Sequence, residues 1–488
     1  MDDTNGVYAS PEFKRALAEY EKAKADGKEV FLDSADITDI AWYYLERKLT
    51  DKAAEAARCG IDMHPGCAGP LMAMARIELS KGSGTGNAKM LLEQVSYVER
   101  GDMECNMMRA EILICDNKAK EADAFLKGVY GSMDDEDDRD DLALDSVELF
   151  LDYFLLAKAK DWLARVNDVE RPDYKELAAS VEMHKGNYAQ SEKIFKELLD
   201  DNPYSHRYWN KLAQSQFMSD DMDGSIESSE FSLAINPEDP EAIRNKADAL
   251  MEKGNCTEAA RYYHRYAEKD PQNPEAYLLE AEALMYAEED AVEGKVEDNE
   301  EKVVALLKKA EKMEVEPGGK IRVEAQRLLA IALSRYDRHG EALEYADKLV
   351  ANPEAVKSEA HYTRGVVLIE SGKARKATEE FQTALTSEGA DFPLVYNVAT
   401  TYLYCGYAPT ALALYRSLYE QAGYGVGYGY AKAARAAYET GRMDEAYRYM
   451  QTACDKTPGD AEWELGHIFG SGTPVSQYCE TFKKEHNL

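Results

Sequence analysis

Small residues return along this chain at a nearly constant interval, and that periodicity constrains the fold more than any other feature. They are Ala53, Ala88, Ala122, Ala159, Ser191, Ser225, Ala259, Ala305, Ala342, Ala377, Ala411 and Ala446, each just after a turn signal. The steps between them are 35, 34, 37, 32, 34, 34, 46, 37, 35, 34 and 35 residues. A second row lies twelve residues upstream (thirteen for Ala75): Ala41, Ala75, Ala110, Ala179, Ala213, Ala247, Ala330, Gly365, Ala399 and Ala434. Two helices joined by a short turn approach closely only where both carry a small side chain at the crossing. The paired rows therefore predict about twelve helix hairpins over residues 36–458. Length alone would suggest about three ordinary domains. A repeat replaces that count with a stack in which each hairpin needs its neighbours to bury an apolar face.

Other residues keep the same frame. Pro203, Pro237 and Pro271 are spaced by 34 and 34, preceded by Asn202, Asn236 and Asp270. Proline cannot continue a helix, so a proline at fixed period marks where one hairpin ends. Tyr208, Trp209, Leu212 and Ala213 place large and small residues at helical spacing, and Gly365, Gly372, Ala377, Phe381 and Ala384 follow in order. This pattern resembles the tetratricopeptide repeat: an aromatic, Leu-Gly, Tyr, Gly, Ala, Phe, Ala and Pro over 34 residues. The fit is close in the units ending at Pro203, Pro237, Pro271, Ala384, Leu418 and Pro458, looser in the first four, and weakest at 141–170. The resemblance implies an all-α, right-handed superhelical solenoid of about twelve helix-turn-helix repeats.

Flanking segments complete the expected organisation. Pro11–Asp26 reads as an N-terminal capping helix ended at Gly27, within a segment 1–35. Divergent repeats follow at 36–170, central ones at 171–317 and C-terminal ones at 318–458, with closing helices at 459–488. In that last segment Ala461–Phe469 and Pro474–Glu485 read as helices, with Trp463, Leu465 and Phe482 as packing residues. Asp134–Asp141 (DDEDDRDD) and residues 288–299 (EEDAVEGKVEDN) read as solvated acidic loops and weak points of the stack.

With 92 acidic against 58 basic residues, the formal charge is −34. That balance repels phosphate and anionic headgroups, so neither nucleic acid nor a membrane surface is expected as a partner. The longest apolar run, Leu328–Leu333, is far short of the ~20 residues a spanning helix needs. The start Met-Asp-Asp-Thr-Asn-Gly has no basic head and apolar run of a signal peptide. Eight cysteines without a CxxC pair or a regular frame read as free thiols in a reducing cytoplasm.

Candidate chemistry is sparse. Ser219–Glu230 (SDDMDGSIESSE) resembles a calcium loop, with Asp221, Asp223, Gly224, Ile226 and Glu230 at the expected offsets. Ser219 replaces the first acidic ligand, however, and the repeat frame requires helix from about Ser225. Tyr424–Tyr430 (YGVGYGY) and Lys81–Gly86 (KGSGTG) are glycine-rich, but neither follows a strand or carries the phosphate-binding lysine. His64, His184, His206, His264, His339, His361, His467 and His486 form no metal-spaced set; His361 occupies a large-residue position of the repeat. Cys59, Cys105 and Cys405 behave as small apolar residues. No enzyme, cofactor or metal is expected.

What remains is what the resemblance implies: first helices line an inner groove in which a peptide or a helix of another protein docks. Mapped by the repeat frame, the inward residues are Arg207, Asn210, Lys211, Gln214, Arg244 and Asn245. Further on they are Tyr362, Tyr396, Tyr404, Tyr428, Lys432, Arg435 and Tyr438. These include five cations and no acid, with Asp248, Glu359 and Glu439 close by. Aromatic and Arg side chains bury much area at little entropic cost, which makes them usual binding hot spots. Chaperone-binding members of the family clamp a terminal carboxylate with Lys, Asn, Asn, Lys and Arg; Arg207 and Lys211 match two of these in type, but Leu177 stands where an Asn is needed. The expected function is a non-catalytic cytoplasmic scaffold or adaptor for a protein partner. The alternatives are a calcium-regulated or enzymatic protein using Ser219–Glu230 or an unrecognised site, and a self-assembling structural array.

Overall fold

A computed structural model describes residues 7–8, 10–47, 49–81, 84–96, 99, 101–289, 299–313, 319–422, 429–469 and 472–486. Twelve helix pairs follow one another in them, from Ser34–Glu46 with Thr50–Met63 to Tyr430–Glu439 with Met443–Lys456. Pro11–Ala25 precedes the pairs; Pro458–Leu465, a short 3-10 turn at Gly466–Ile468 and Val475–His486 follow them. Among the described residues there is no strand, and no helix is long and apolar enough to cross a membrane. The chain forms two compact units, residues 1–245 and 246–488, which divide within the helix Pro240–Glu252.

Most of the described turns inside the pairs are built one way. In nine turns the middle residue is left-handed, with φ between +55° and +83°: Asn117, Phe154, Gly186, Asp220, Gly254, Asp337, Gly372, Gly406 and Gly441. The next N–H then donates back five residues, as Lys118 to Leu113, Leu155 to Phe150 and Arg442 to Ala437, at 2.7–2.9 Å. This satisfies a carbonyl the helix end would otherwise leave orphaned. Glycine takes the left-handed position freely and Asn or Asp nearly so; a bulky residue does not. Phe154 is the one aromatic among the nine, and it projects into solvent at 83% exposure. That strained turn lies where the repeat pattern is weakest.

The small-residue rows form the seam of each pair. Eleven of the twelve markers are fully buried. All but Ala88 are the fourth residue of a second helix. The exception to burial is Ala305, which is exposed; Val303, the fourth residue of Glu300–Met313, holds the seam position and is fully buried. Small size pointed to Ala305 after the long insertion, whereas the seam position two residues earlier is held by the larger Val303. In the upstream row Gly365 shows how close the approach is: a Cβ there would lie 2.5 Å from Cε1 of Phe381 on the paired helix. Serine in the seam brings a hydroxyl that needs a partner. Ser191 finds Ser215 at 2.8 Å, whereas the buried Ser225 hydroxyl has none.

Three expectations need correction. Asp134–Asp141 is not a loop, because Glu136–Asp152 is a helix whose first turn is acidic. Acids there are favoured by the helix dipole and by capping: Asp135 accepts from the N–H groups of Asp137 and Asp138. Asp140 is 3% exposed and accepts from the backbone N–H groups of Asn167 and Asp168. Trp463 is 83% exposed rather than packed, whereas Leu465 and Phe482 are fully buried as expected. The first closing helix runs Pro458–Leu465, earlier than expected, and Val475–His486 forms the second. The N-terminal helix stops at Ala25, before Gly27 at φ +64°. Of the stretch 288–299, residues 290–298 lie outside the described residues.

Two substitutions test the turn and the seam. Phe154→Gly relieves the left-handed strain and should stabilise the first unit by about 1 kcal/mol, read by urea unfolding. Ser225→Ala removes an unpartnered buried hydroxyl and should also stabilise it, by about 1 kcal/mol. In the second unit Gly365→Leu should drive Phe381 out of place and cost about 3 kcal/mol. An unchanged melting temperature for Gly365→Leu would contradict the close approach.

Candidate functional site

First helices of successive pairs pack on one another, as Ser34–Glu46 does on Ala68–Ser80 and Lys320–Arg335 on Lys357–Glu370. Second helices pack instead on the first helices before and after them. Each unit therefore presents an inner row of first helices, and the groove candidates sit on that row.

In the first unit the candidates are engaged among themselves. Arg207 pairs with Glu176 at 2.6 Å. Lys211 lies 3.4 Å from Glu241, which also accepts from the Gln214 amide at 2.7 Å. Asn210 is 1% exposed and donates to Asp239 at 2.9 Å, so its side chain is not offered to a partner. Asn245 donates to the Asn210 carbonyl at 3.3 Å, and Arg244 is half-buried on the helix Pro240–Glu252.

In the second unit three candidates converge on a carboxylate that sequence reasoning passed over, and a fourth, Tyr396, joins them through Lys432. Glu464, on the closing helix Pro458–Leu465, is 4% exposed. It accepts from the Tyr404 hydroxyl at 2.5 Å and pairs with Arg435 at 3.3 Å and Lys432 at 3.8 Å. Lys432 also donates to the Tyr396 hydroxyl at 3.1 Å, and Arg435 pairs with Glu439 at 2.9 Å. Burial and the hydrogen bond to Glu464 push the Tyr404 phenol well above the usual tyrosine range. Tyr362 is half-buried, hydrogen-bonded to Thr401 at 3.1 Å with its ring 6.1 Å from that of Phe381. Tyr438 packs beside Phe482 and His486 of the last helix, 6.0 and 6.1 Å between centroids. Tyr428 lies outside the described residues.

Four of the five inner cations, Arg207, Lys211, Lys432 and Arg435, are thus met from within, by Glu176, Glu241 and Glu464. Repeat position could not point to Glu464, because it belongs to the cap and not to a repeat. The free charge lies elsewhere. On Glu136–Asp152, beyond the exposed first turn Glu136, Asp137 and Asp138, the exposed positions are Asp141, Asp145, Glu148 and Asp152, one stripe at steps of four, three and four. Arg171 pairs with Asp141 at 2.7 Å, but no ion pair forms at Asp145, Glu148, Asp152 or the neighbouring Glu104 among the described residues. Asp145 reaches solvent, yet the surrounding protein excludes enough water to push its carboxyl up to about 6, with Glu148, Asp141, Glu104 and Asp173 adding to the rise.

The other motifs have structural roles. Ser219–Glu230 is a repeat turn and second helix: Met222–Ile235 is helical, and Asp221 caps it by accepting from the Gly224 N–H at 3.0 Å. Among the described residues no three His, Cys, Asp or Glu side chains come together as a metal site. His361 is hydrogen-bonded to Glu380 at 2.8 Å. Of the glycine-rich stretch, residues 424–428 lie outside the described residues, and Tyr430 is buried against Tyr419, 4.5 Å between centroids.

Residues 216–283 match the family model of the tetratricopeptide repeat. They contain the helix pair Pro240–Glu252 with Cys256–Lys269, joined by the three-residue turn 253–255. This stretch of the chain carries tetratricopeptide repeats. Among solved structures, a tetratricopeptide repeat protein from Parabacteroides merdae ATCC 43184 is 14% identical with a TM-score of 0.45, covering 55% of this chain and 98% of its own. A chain of the APC/C hetero-tetramer Cut9-Hcn1 is 14% identical with a TM-score of 0.35, covering 90% and 97%. A thermophilic tetratricopeptide repeat protein of Thermus thermophilus is 18% identical with a TM-score of 0.33, covering 41% and 100%. No curated protein matches the sequence.

The Glu464 cluster predicts a stability effect. Glu464→Ala leaves Lys432 and Arg435, 24% and 28% exposed, without their shared carboxylate. The cost should be about 2–3 kcal/mol, below that of a fully buried pair because both cations reach water. Glu464→Gln, which still accepts from Tyr404, should lose less. Because the folded Tyr404 phenol ionises later than the unfolded one, its contribution is present below about pH 10 and lost above it. Denaturant titrations at pH 7 and 10.5 check both statements.

Proposed function

We propose that this protein is a non-catalytic, cytoplasmic scaffold that docks a Lys/Arg-rich segment of a partner protein on the inner row of its first unit. Tetratricopeptide repeat proteins generally mediate protein–protein interaction, which supports the general role. The observation behind the finer reading is the carboxylate stripe Asp145, Glu148 and Asp152, with Glu104 beside it, none of them in an ion pair among the described residues and only Asp152 near cationic side chains, Arg76 and His184. Burial first, and repulsion from the neighbouring carboxylates second, disfavour the ionised form of Asp145 and raise its carboxyl. An external cation relieves that repulsion, so the stripe is complementary to a basic chain and hostile to an acidic one. Four of the five inner cations, by contrast, already have carboxylates, so the groove residues of the second unit contribute mainly to folding.

The raised carboxyl also sets a pH signature. The unfolded chain gives up this proton first, so the group's contribution to stability falls as pH rises from the ordinary carboxylate range through about 6. Docking a cation favours the ionised form, so affinity should rise with pH through about 6. A fluorescent deca-arginine peptide, titrated by anisotropy at moderate salt, supplies the test. Asp145→Asn with Glu148→Gln should weaken binding about tenfold, equivalent to ~1.4 kcal/mol. Glu121→Gln with Glu197→Gln removes the same charge from second helices and should change it little. Equal losses in the two double variants would mean that the peptide reads only the total charge of −34.

A further inference from the structure

The eight cysteines have no pairing frame in the sequence, but packing at the C-terminal end brings two of them together. Cys454 lies in the last turn of Met443–Lys456, and Cys479 is the fifth residue of Val475–His486. These two helices pack on one another. Both cysteines are half-buried against the same apolar cluster, which includes Phe482, Tyr478 and Ala453. Their side chains are hydrogen-bonded to each other. Thiols held in that relation, 25 residues apart in sequence, need only a small approach to reach bonding distance. Two other cysteines illustrate the contrast: Cys105 lies 3.5 Å from Met72 Sδ, and Cys115 lies 3.2 Å from the Tyr153 hydroxyl.

We propose that Cys454 and Cys479 are an oxidation site that closes to an intramolecular disulfide, fastening the last helix to the final repeat. The roles of the two sulfurs differ. The hydrogen bond from Cys454 pulls the Cys479 thiol down to about 7, while Cys454, the donor, is pushed up. Cys479 is therefore the attacking thiolate at neutral pH. With a low-molecular-weight disulfide such as oxidised glutathione, its sulfur bonds to one glutathione sulfur and expels the other as thiolate. Cys454 then loses its proton and attacks the Cys479 sulfur, breaking the mixed disulfide and releasing the second glutathione. Two protein thiols give up two electrons and two protons; one disulfide becomes two thiols. The new bond closes a loop that contains Glu464, so the cap that holds Lys432 and Arg435 becomes covalently retained. In a reducing cytoplasm the bond would form only under oxidant, as transient redox-sensing disulfides do.

The full-length chain is incubated with oxidised glutathione, and its free thiols are alkylated and mapped by mass spectrometry. Two of the eight thiols should be protected, in one cross-linked peptide pair containing Cys454 and Cys479, and dithiothreitol should restore them. Cys454→Ser should stop at a glutathione adduct on Cys479, and Cys479→Ser should leave Cys454 alkylatable. Proteolysis within 458–486 should slow about tenfold in the oxidised protein and not in either variant. Full alkylation of both residues after oxidation, or a cross-link formed as readily by other cysteines or between molecules, would overturn the proposal. The wild-type map decides the matter even if a serine variant folds poorly.

Discussion

Each helix pair closes at a point where neither backbone is held away by a side chain, and the remainder of the architecture depends on that contact. The fourth residue of the second helix is small and buried in unit after unit, and the first helix meets it with its own Ala or Gly. At Gly365 even one methyl would collide with Phe381. Dispersion is short-ranged, so packing at the seam is lost quickly when the helices separate. The three-residue turn enforces the geometry, since its left-handed middle residue reverses the chain immediately after the first helix ends. Seam and turn together make a hairpin with an exposed apolar face, and stacking on the next hairpin covers it.

Charge is distributed under the same constraint. A first helix packed on its neighbours leaves only a narrow stripe free, and what occupies that stripe decides what the inner row can bind. On Glu136–Asp152 the stripe is wholly acidic, and burial together with the neighbouring carboxylates raises the Asp145 carboxyl. On Tyr430–Glu439 it carries Lys432 and Arg435, but the closing helix supplies Glu464 to meet them. A terminal cap here covers polar groups as well as apolar ones. Buried ion pairs of this kind contribute little over an apolar replacement, yet losing one partner is costly. That asymmetry ties the cap to the last repeat.

Local patterns were legible in the sequence wherever a residue's role is decided by its own helix or turn. The seam positions follow from spacing alone, and so does the turn at Gly372. Asp134–Asp141 misled because composition registers charge but not where a helix starts; the same acids are favourable in a first turn and at a cap. Ala305 misled because its small size marked it, whereas the larger Val303 holds the seam. Trp463 misled because a large apolar residue in a short helix has no way of announcing which side the neighbours are on.

The sequence by itself determined the repeat, its number of hairpins and the identity of nearly every seam residue, because periodic spacing is preserved when a chain folds into equivalent units. Tertiary structure alone decided which charges are spent and which are free. Glu464 reaches Lys432 and Arg435 from 32 and 29 residues away, and Cys479 reaches Cys454 from 25. Such meetings depend on how the closing helices settle against the last pair, which no repeat period encodes. Electrostatic pairing needs contact across a few ångströms, and the contact exists only after the hairpins have stacked.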